Sequence, residues 1–462
     1  MTRRSYLLFL SFVWIALVYI IVAFTDITAQ SFVGLRKLDN GQTVTGAGIA
    51  SSSVMYLILP IIMGLLLRYT KLSLNWATVI FLPLVGLSIW AGQKLPLDLA
   101  GMFNLSEGHA HKLWDVLLLL YCLGAAVTPI WMLLQPRGHL GGYFLYVALA
   151  GGMIGLIVGS LSGQEHISYH AFTSWTPATG GNLFPFLFIT IACGACSGFH
   201  SLICSGTTSK QLARETDARV IGYGAMLLEG MVAIVSLCCV MVLSQDDELL
   251  KNPRPDLIYA LGIGRFLHVV GISPELGVAF ALMAFTTFVY DTLDVCTRLG
   301  RYIIQELTGL QGAFGRWLGT GLTAGVPLLF LLQSPVDAEG KPIPVWRLFW
   351  SLFGASNQLL AALTLLGVTV WLWRTRREMW VWFVTGIPMV LMYVMSSWAL
   401  LSMTLPKFQK DGEWIVPSDP VPWIGLVLSV LAGWMLVEAI IVLVGSTTRR
   451  DPPQPQALAA TA

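Results

Sequence analysis

Apolar segments about twenty residues long recur along the whole chain, and this repetition limits the fold more than any other feature of the sequence. A transmembrane α-helix needs roughly 20 consecutive, mostly apolar residues to cross a bilayer. Transmembrane β-strands would instead give shorter segments of alternating polarity. The sequence therefore predicts an all-α polytopic membrane protein with about twelve transmembrane helices. The segments lie at about 6–25, 48–69, 76–93, 113–134, 142–162, 183–207, 219–243, 274–296, 315–333, 348–373, 379–404 and 421–446.

The composition argues against a soluble globular protein. Charged residues make up 11% of the chain and hydrophobic residues 56%, whereas soluble domains carry about 25% charged residues. The net charge of +2 gives no reason to expect nucleic-acid binding. All seven cysteines lie in apolar segments, which is typical of buried thiols rather than of a disulfide framework.

The distribution of lysine and arginine predicts the orientation of the chain. If the N-terminus faces the cytoplasm, sixteen of the 27 basic residues lie on the cytoplasmic side and eleven on the other, in line with the positive-inside rule. An even number of spans then places both termini in the cytoplasm. We assign residues 1–450 to one transmembrane domain and the Pro-rich residues 451–462 to a disordered cytoplasmic tail.

The sixth segment, 183–207, differs from the others because residues that weaken a helix lie within it. Nearby hydroxyl groups can satisfy the backbone groups that a break exposes. This combination predicts a discontinuous helix, and secondary transporters hold substrates and ions at such half-helix ends. A kinked helix that serves only packing is the alternative. The residues concerned are Pro185, Gly194, Gly198 and Gly206, with the hydroxyl groups of Ser197, Ser201, Ser205, Thr207 and Thr208.

Four ionisable residues within the spans are candidates for proton coupling. His200 lies in the sixth segment and titrates in the physiological range, although a histidine that donates to a backbone carbonyl is an equal alternative. Glu229 lies near the centre of the seventh segment, where a lone carboxyl group is protonated or paired. Asp291 and Asp294 share a face of the eighth segment, and Asp294 has the spacing to form a structural salt bridge with Arg298.

Two adjacent amides, Asn357 and Gln358, lie near the start of the tenth segment. Amide side chains in a membrane span can bind a carbonyl group of a substrate or form hydrogen bonds to a neighbouring helix. We include both residues in the candidate substrate site, with cross-linking of helices as the alternative.

The sequence gives no reason to expect a metal ion, a cofactor or an enzymatic activity. His166 and His170 have the i, i+4 spacing of helical metal ligands, but they fall in a predicted outer loop, where histidines are usually solvated. Cys193 and Cys196 have CxxC spacing without a second pair. Neither the Gly-x-Ser-Gly motif of an intramembrane serine protease nor a phosphate-binding GxxxxGK motif occurs.

Four stretches of the sequence, one of which contains the sixth segment, together form a longer motif. In chain order the four read WDVLLLLYCLGAAVTPIWMLLQPRGHL, GNLFPFLFITIACGACSGFHSLICSGTTSKQLARETDARVIGYGAMLLEG, DTLDVCTRLGRYIIQE and SLFGASNQLLAALTLL. They resemble successive segments of the carbon starvation protein CstA family, and the resemblance covers most of residues 50–375. It implies an inner-membrane secondary transporter related to the amino acid–polyamine–organocation superfamily. It further implies uptake of peptides, or of pyruvate with protons, during carbon starvation, and it supports a break at Gly194–Gly198.

Members of that family carry additional N-terminal spans, including a segment rich in histidine and glycine, to which nothing in this sequence corresponds. We therefore expect a split transporter in which a separate subunit supplies these spans, with a truncated gene or a rearranged family core as the alternatives. The expected activity is secondary active uptake of small carboxylate-bearing nutrients, pyruvate or short peptides, coupled to protons or sodium ions across the lipid bilayer. A non-transporting sensor or scaffold subunit is the alternative.

Overall fold

The structure of the protein is a computed structural model that describes residues 3–37, 43–172, 174–176, 182–244, 247–251, 254–336, 340, 343–410 and 412–445. The predicted disordered tail, 451–462, lies outside the described residues.

Helices account for most of the described chain. They are α1 (Arg3–Ser31), α2 (Gly46–Tyr69), α3 (Leu74–Lys94), α4 (Leu99–Phe103), α5 (Glu107–Val127), α6 (Leu134–Leu161), α7 (Leu183–Ala195), α8 (Gly198–Gly206), α9 (Gly224–Met241), α10 (Glu248–Lys251), α11 (Pro255–Val269), α12 (Pro274–Thr308), α13 (Gly312–Leu331), α14 (Val345–Arg376), α15 (Ile387–Thr404) and α16 (Pro420–Gly445). Short 3₁₀ turns lie at Thr208–Lys210 and Leu405–Phe408, and π-helical turns precede α9 and α15 at Arg219–Tyr223 and Trp382–Gly386. Two small antiparallel hairpins pair β1 (Leu35–Lys37) with β2 (Thr43–Thr45) and β3 (Gln409–Lys410) with β4 (Glu413–Trp414).

Within the described part of the chain, eleven helical segments are long and apolar enough to cross a membrane. They coincide with eleven of the twelve predicted segments, which confirms an all-α polytopic membrane protein. The exception is the ninth predicted segment, 315–333, which lies in α13 but is not among the eleven. Five glycines and Arg316 in α13 lower its mean hydropathy. The prediction from the length of this segment therefore overestimated its hydrophobicity.

The chain forms two compact units. The larger contains Leu17–Ser174 and Ser209–Trp350, and the smaller contains Met1–Ala16, Trp175–Thr208 and Ser351–Ala462. In the larger unit α12 packs against α5, α6, α11 and α13. Glycine allows α6 and α11 to approach closely, because a Cβ atom at Gly155 would lie 2.0 Å from the carbonyl oxygen of Phe266.

Helix α12 extends further than its sequence predicts. The predicted segment ends near residue 296, but the helix continues to Thr308 and ends at Gly309, whose φ of 72° is left-handed. Asp291 and Asp294 therefore lie in the interior of a 35-residue helix rather than near its end. This placement requires neighbouring helices to satisfy both carboxylates.

The smaller unit contains α7, α8, α15, α16 and the part of α14 that begins at Ser351. Helix α15 packs against α7 and α16, and Ala361, Ala362 and Met392 form a small buried cluster between α14 and α15. These contacts hold α7 and α14 in one unit, where the polar residues of both helices meet.

Candidate functional site

The predicted discontinuity in the sixth segment is present. Helix α7 ends at Ala195, α8 begins at Gly198, and the two residues between them are not helical. Cys196 has φ −157° and ψ 87°, and Ser197 has φ −91° and ψ 136°. These extended conformations interrupt the ladder of backbone hydrogen bonds, so both half-helix ends carry polar groups that need other partners.

Asn357 of α14 stabilises the start of α8. Its Oδ1 accepts a hydrogen bond from the backbone N–H of Phe199 at 2.8 Å, and its Nδ2 donates to Oγ of Ser197 at 2.8 Å. The residue is only 3% exposed. It therefore supplies from a neighbouring helix the acceptor that an N-cap side chain usually provides.

Gln358 forms hydrogen bonds on the other side of the break. In the amide orientation that satisfies both partners, its nitrogen donates to the carbonyl oxygen of Cys196 at 2.7 Å. Its oxygen accepts from the backbone N–H of Cys193 at 2.9 Å. Asn357 and Gln358 thus make the hydrogen bonds between helices that the cross-linking alternative predicts, and a role for them in substrate binding stays a prediction.

Gly198 is required for the close contact between α8 and α14. A Cβ atom at this position would lie 2.1 Å from the carbonyl oxygen of Asn357 and 2.6 Å from the backbone nitrogen of Ala361. Any side chain would force the two helices apart. The glycine that was predicted to weaken the helix therefore also permits the packing that positions Asn357.

The hydroxyl groups of the sixth segment fall into two sets. Ser197 and Ser201 lie at the break, and Oγ of Ser201 donates to the carbonyl of Gly198 at 2.6 Å and lies 3.0 Å from the hydroxyl of Thr364. Ser205 donates to the carbonyl of Leu202, within α8.

Further along, Thr207 donates to the carbonyl of Ile203, and Thr208 begins a 3₁₀ turn. Ser205, Thr207 and Thr208 therefore lie at the far end of α8. The residues that the structure gathers around the break are Gly194, Ser197, Gly198, His200, Ser201, Asn357 and Gln358.

The larger unit holds a second polar cluster, centred on Arg137 in the first turn of α6. This side chain is fully buried, and its Nε lies 2.5 Å from Oδ1 of Asp291 while its Nη1 lies 2.6 Å from Oδ2 of Asp294. Asp294 is 1% exposed, whereas the side chain of Asp291 is 29% exposed. Two carboxylates share one guanidinium, and Asp291 is the more accessible of the two.

Two tyrosines complete this charged cluster. The hydroxyl of Tyr121 donates to Oδ2 of Asp294 at 2.8 Å and accepts from Nη1 of Arg137. The hydroxyl of Tyr56 donates to the backbone carbonyl of Arg137 at 3.0 Å. The cluster therefore joins α5, α6 and α12 through charge-assisted hydrogen bonds, and α2 through a neutral one.

The predicted salt bridge between Asp294 and Arg298 is wrong. Nη2 of Arg298 instead donates to the carbonyl oxygens of Ala125 and Thr128, at 2.8 Å and 2.7 Å. Arg301 donates likewise to the carbonyl of Ala126 at 2.9 Å. Both arginines satisfy carbonyls at the C-terminal end of α5, where no intrahelical donor is available.

Arg137 is not among the predicted site residues because it falls between two predicted segments, 113–134 and 142–162. A usable signal lies in its surroundings, since apolar residues continue on both sides of the stretch 135–139. Glu229, the predicted coupling acid, is half-buried in α9. Its role in coupling stays a prediction, as do those of His200, Asp291 and Asp294.

Comparison with known proteins identifies the family. The sequence model described as "Carbon starvation protein CstA" matches residues 1–256 and 246–399 of the chain. This chain belongs to the CstA family. The pyruvate/proton symporter BtsT of Escherichia coli K12 is similar to this CstA-family chain, with 31% identity over 380 residues that cover 65% of the chain and 52% of that symporter.

Proteins named peptide transporter CstA are similar to the same extent. The protein from Helicobacter pylori J99 is 30% identical over 412 residues, which cover 76% of the chain and 58% of that transporter. The protein from Mycobacterium tuberculosis H37Rv is 30% identical over 432 residues, which cover 80% and 55% of the two chains. The CstA-family chain thus spans about half the length of these relatives, whose names are those of transporters and not of enzymes.

Proposed function

We propose that this CstA-family chain belongs to a secondary active transporter that takes up small carboxylate-bearing nutrients, pyruvate or short peptides, together with protons. The names of the relatives support both substrate classes, and the symporter name supports protons as the coupling ion. The observation that carries the proposal is the interruption of one membrane span at Cys196–Ser197. Unwinding two residues within a span gives up backbone hydrogen bonds, a cost that a binding role would explain.

The proposed binding site is the half-helix end at the start of α8. The N-terminus of a helix carries a partial positive charge and presents N–H groups that bind anions. Asn357 fixes this end, and the hydroxyls of Ser197 and Ser201 add neutral polar groups. The proposed site would thus bind a substrate carboxylate without a positively charged side chain. Release of the carboxylate would then be easier than from an ion pair.

The proposed coupling groups are Asp291, Asp294, Glu229 and His200. Protonation of Asp291 would remove its attraction for Nε of Arg137 and leave the guanidinium to Asp294. Such a change of partner links proton binding to the packing of α6 against α12. Asp291 is the best placed of the four because its side chain is part-exposed while its partner is fully buried.

Uptake of radiolabelled pyruvate and of a dipeptide tests the proposal, in cells that lack their own transporters and in proteoliposomes. We expect uptake that rises with an inward proton gradient, is indifferent to a sodium gradient, and loses its gradient dependence in D291N or E229Q. The assay is run with the chain alone and with neighbouring genes co-expressed, which tests whether uptake requires a separate subunit. A substrate that raises the melting temperature without any uptake would favour the sensor or scaffold alternative. The absence of both binding and uptake would refute the proposal.

A further inference from the structure

A second group of ionisable side chains lies in the larger unit, apart from the residues of the charged cluster. Asp26 of α1 and His111 and Asp115 of α5 each offer one potential ligand atom, and these three atoms lie within 4.8 Å of one another. His111 and Asp115 are four residues apart, so they share one face of α5. The geometry points to a binding site for a divalent transition-metal ion, with one imidazole and two carboxylate ligands.

The distances fit such an ion. Zinc binds imidazole nitrogen and carboxylate oxygen at about 2.0–2.2 Å, so neighbouring ligands in a tetrahedral site lie roughly 3.3 Å apart. Nε2 of His111 lies 3.1 Å from Oδ1 of Asp26, which is close to one edge of that tetrahedron, and 3.0 Å from the backbone carbonyl oxygen of Asp26. A bound ion would replace the contact with this carbonyl. The ligand atom of Asp115 lies within 4.8 Å of the other two, so a shift of Asp115 brings in the third ligand, and a water molecule can fill the remaining position.

Burial gives an independent reason to expect a cation. Asp26 and Asp115 are each 2% exposed, and Oδ1 of Asp115 is buried without a hydrogen-bond partner. Two buried carboxylates in apolar surroundings are costly unless a positive charge or several donors compensate them. A divalent ion neutralises both at once.

The cationic side chains that line the same cavity are occupied elsewhere. Nζ of Lys112 donates to the carbonyl of Leu332 and to the hydroxyl of Ser334. Arg254 forms its ion pair with Asp256 at 2.7 Å. Neither therefore takes the place that a metal ion would fill between Asp26 and Asp115.

Neighbouring groups orient Asp26, and a cavity gives an ion access to the proposed site. Oδ2 of Asp26 accepts a hydrogen bond from the backbone N–H of Trp346 at 2.8 Å, which turns Oδ1 towards His111, as partners of metal ligands commonly do. The cavity beside the three residues has a volume of about 500 Å³, and the side chain of His111 is 22% exposed. An ion can thus reach the site from that cavity.

The histidines that the sequence singled out for their spacing do not form this site. His166 and His170 are exposed and not helical, so their i, i+4 spacing has no geometric meaning. The proposed site instead pairs His111 with aspartates of two different helices. Its imidazole ligand favours zinc or a similar transition metal over calcium or magnesium, which prefer oxygen ligands.

Titration calorimetry with ZnCl₂ on the full chain, purified in detergent without a polyhistidine tag, tests the site. We expect one zinc ion per chain, no comparable binding of Ca²⁺, and a higher melting temperature with zinc. D115N and H111A should each weaken binding by more than about tenfold, since loss of even an outer partner of a metal ligand costs about 10- to 100-fold. The matched control is H109A, because His109 lies on the same helix, is exposed and contacts Ser106 instead.

Two results would overturn the inference: no zinc binding by the folded wild-type chain, or equal binding by wild type, D115N and H111A. Should a variant fail to fold, the visible absorption spectrum of Co²⁺ added to the wild-type chain decides. Intense bands of four- or five-coordinate cobalt support the site, and a spectrum unchanged from that of hydrated cobalt refutes it.

Discussion

The break in the smaller unit and the charged cluster in the larger unit satisfy buried polar groups in different ways. At the break, neutral amides of α14 bind the backbone groups that two unwound residues expose. In the cluster, the guanidinium of Arg137 forms ion pairs with two aspartates of α12. Neutral hydrogen bonds are readily exchanged for those of a ligand, whereas a buried ion pair is costly to separate. This difference supports the proposed assignment of substrate binding to the break and of a structural or gating role to the cluster.

Replacement of Arg137 by methionine should have the largest effect. It leaves Asp291 and Asp294 without their guanidinium, and removal of one partner of a buried ion pair costs about 3–5 kcal/mol. Unfolding in mixed detergent micelles measures the loss, with R214M as control because Arg214 is exposed. The double variant R137M/D294N should be more stable than R137M alone, and equal stability of R137M and wild type would show that the cluster does not stabilise the protein.

Replacement of Gly198 by alanine should have the next largest effect. The new methyl group meets the backbone of α14 within 2.1 Å, and overpacking of this kind costs about 1–3 kcal/mol. Because α8 and α14 must separate, uptake should fall as well. Gly433 in α16 of the same unit provides the matched control, since a Cβ atom there has nothing within 4 Å. An uptake rate for G198A equal to that of G433A would show that close packing at the break is dispensable.

The two regions also differ in how far the sequence predicted them. The break was predicted because its causes, Gly194, Gly198 and the nearby hydroxyls, lie within a few residues of one another. Its partner Asn357 was singled out as a polar residue in a span, but its bond to Phe199 joins positions 158 residues apart. The charged cluster depends on a contact between Arg137 and Asp291, 154 residues apart. Local spacing therefore paired Asp294 with Arg298, whose real partners are carbonyls of α5.

Replacement of Asn357 by alanine tests the hydrogen bonds of its amide separately from the close packing at Gly198. The backbone N–H of Phe199 loses its acceptor, and loss of a helix cap costs about 1–2 kcal/mol. If the start of α8 also binds the substrate, the KM for uptake should rise more than the maximal rate falls. The measurement is the concentration dependence of initial uptake, with T375A as the control on α14, because Thr375 is exposed and donates to the carbonyl of Trp371 in its own helix. A fall in the maximal rate alone would assign Asn357 to the fold and not to the substrate site.

The smallest effect distinguishes the two ends of α8. Ser201 lies at the break and contacts both Gly198 and Thr364, whereas Ser205 donates to a carbonyl of its own helix and is exposed. S201A should therefore lower stability by about 1 kcal/mol and reduce uptake, while S205A should stay within about 0.5 kcal/mol of wild type. Measured side by side, the two variants test whether the site is confined to the break. A larger loss of uptake in S205A would move the site towards the end of α8, because the half-helix N-terminus could then no longer be the main determinant of binding.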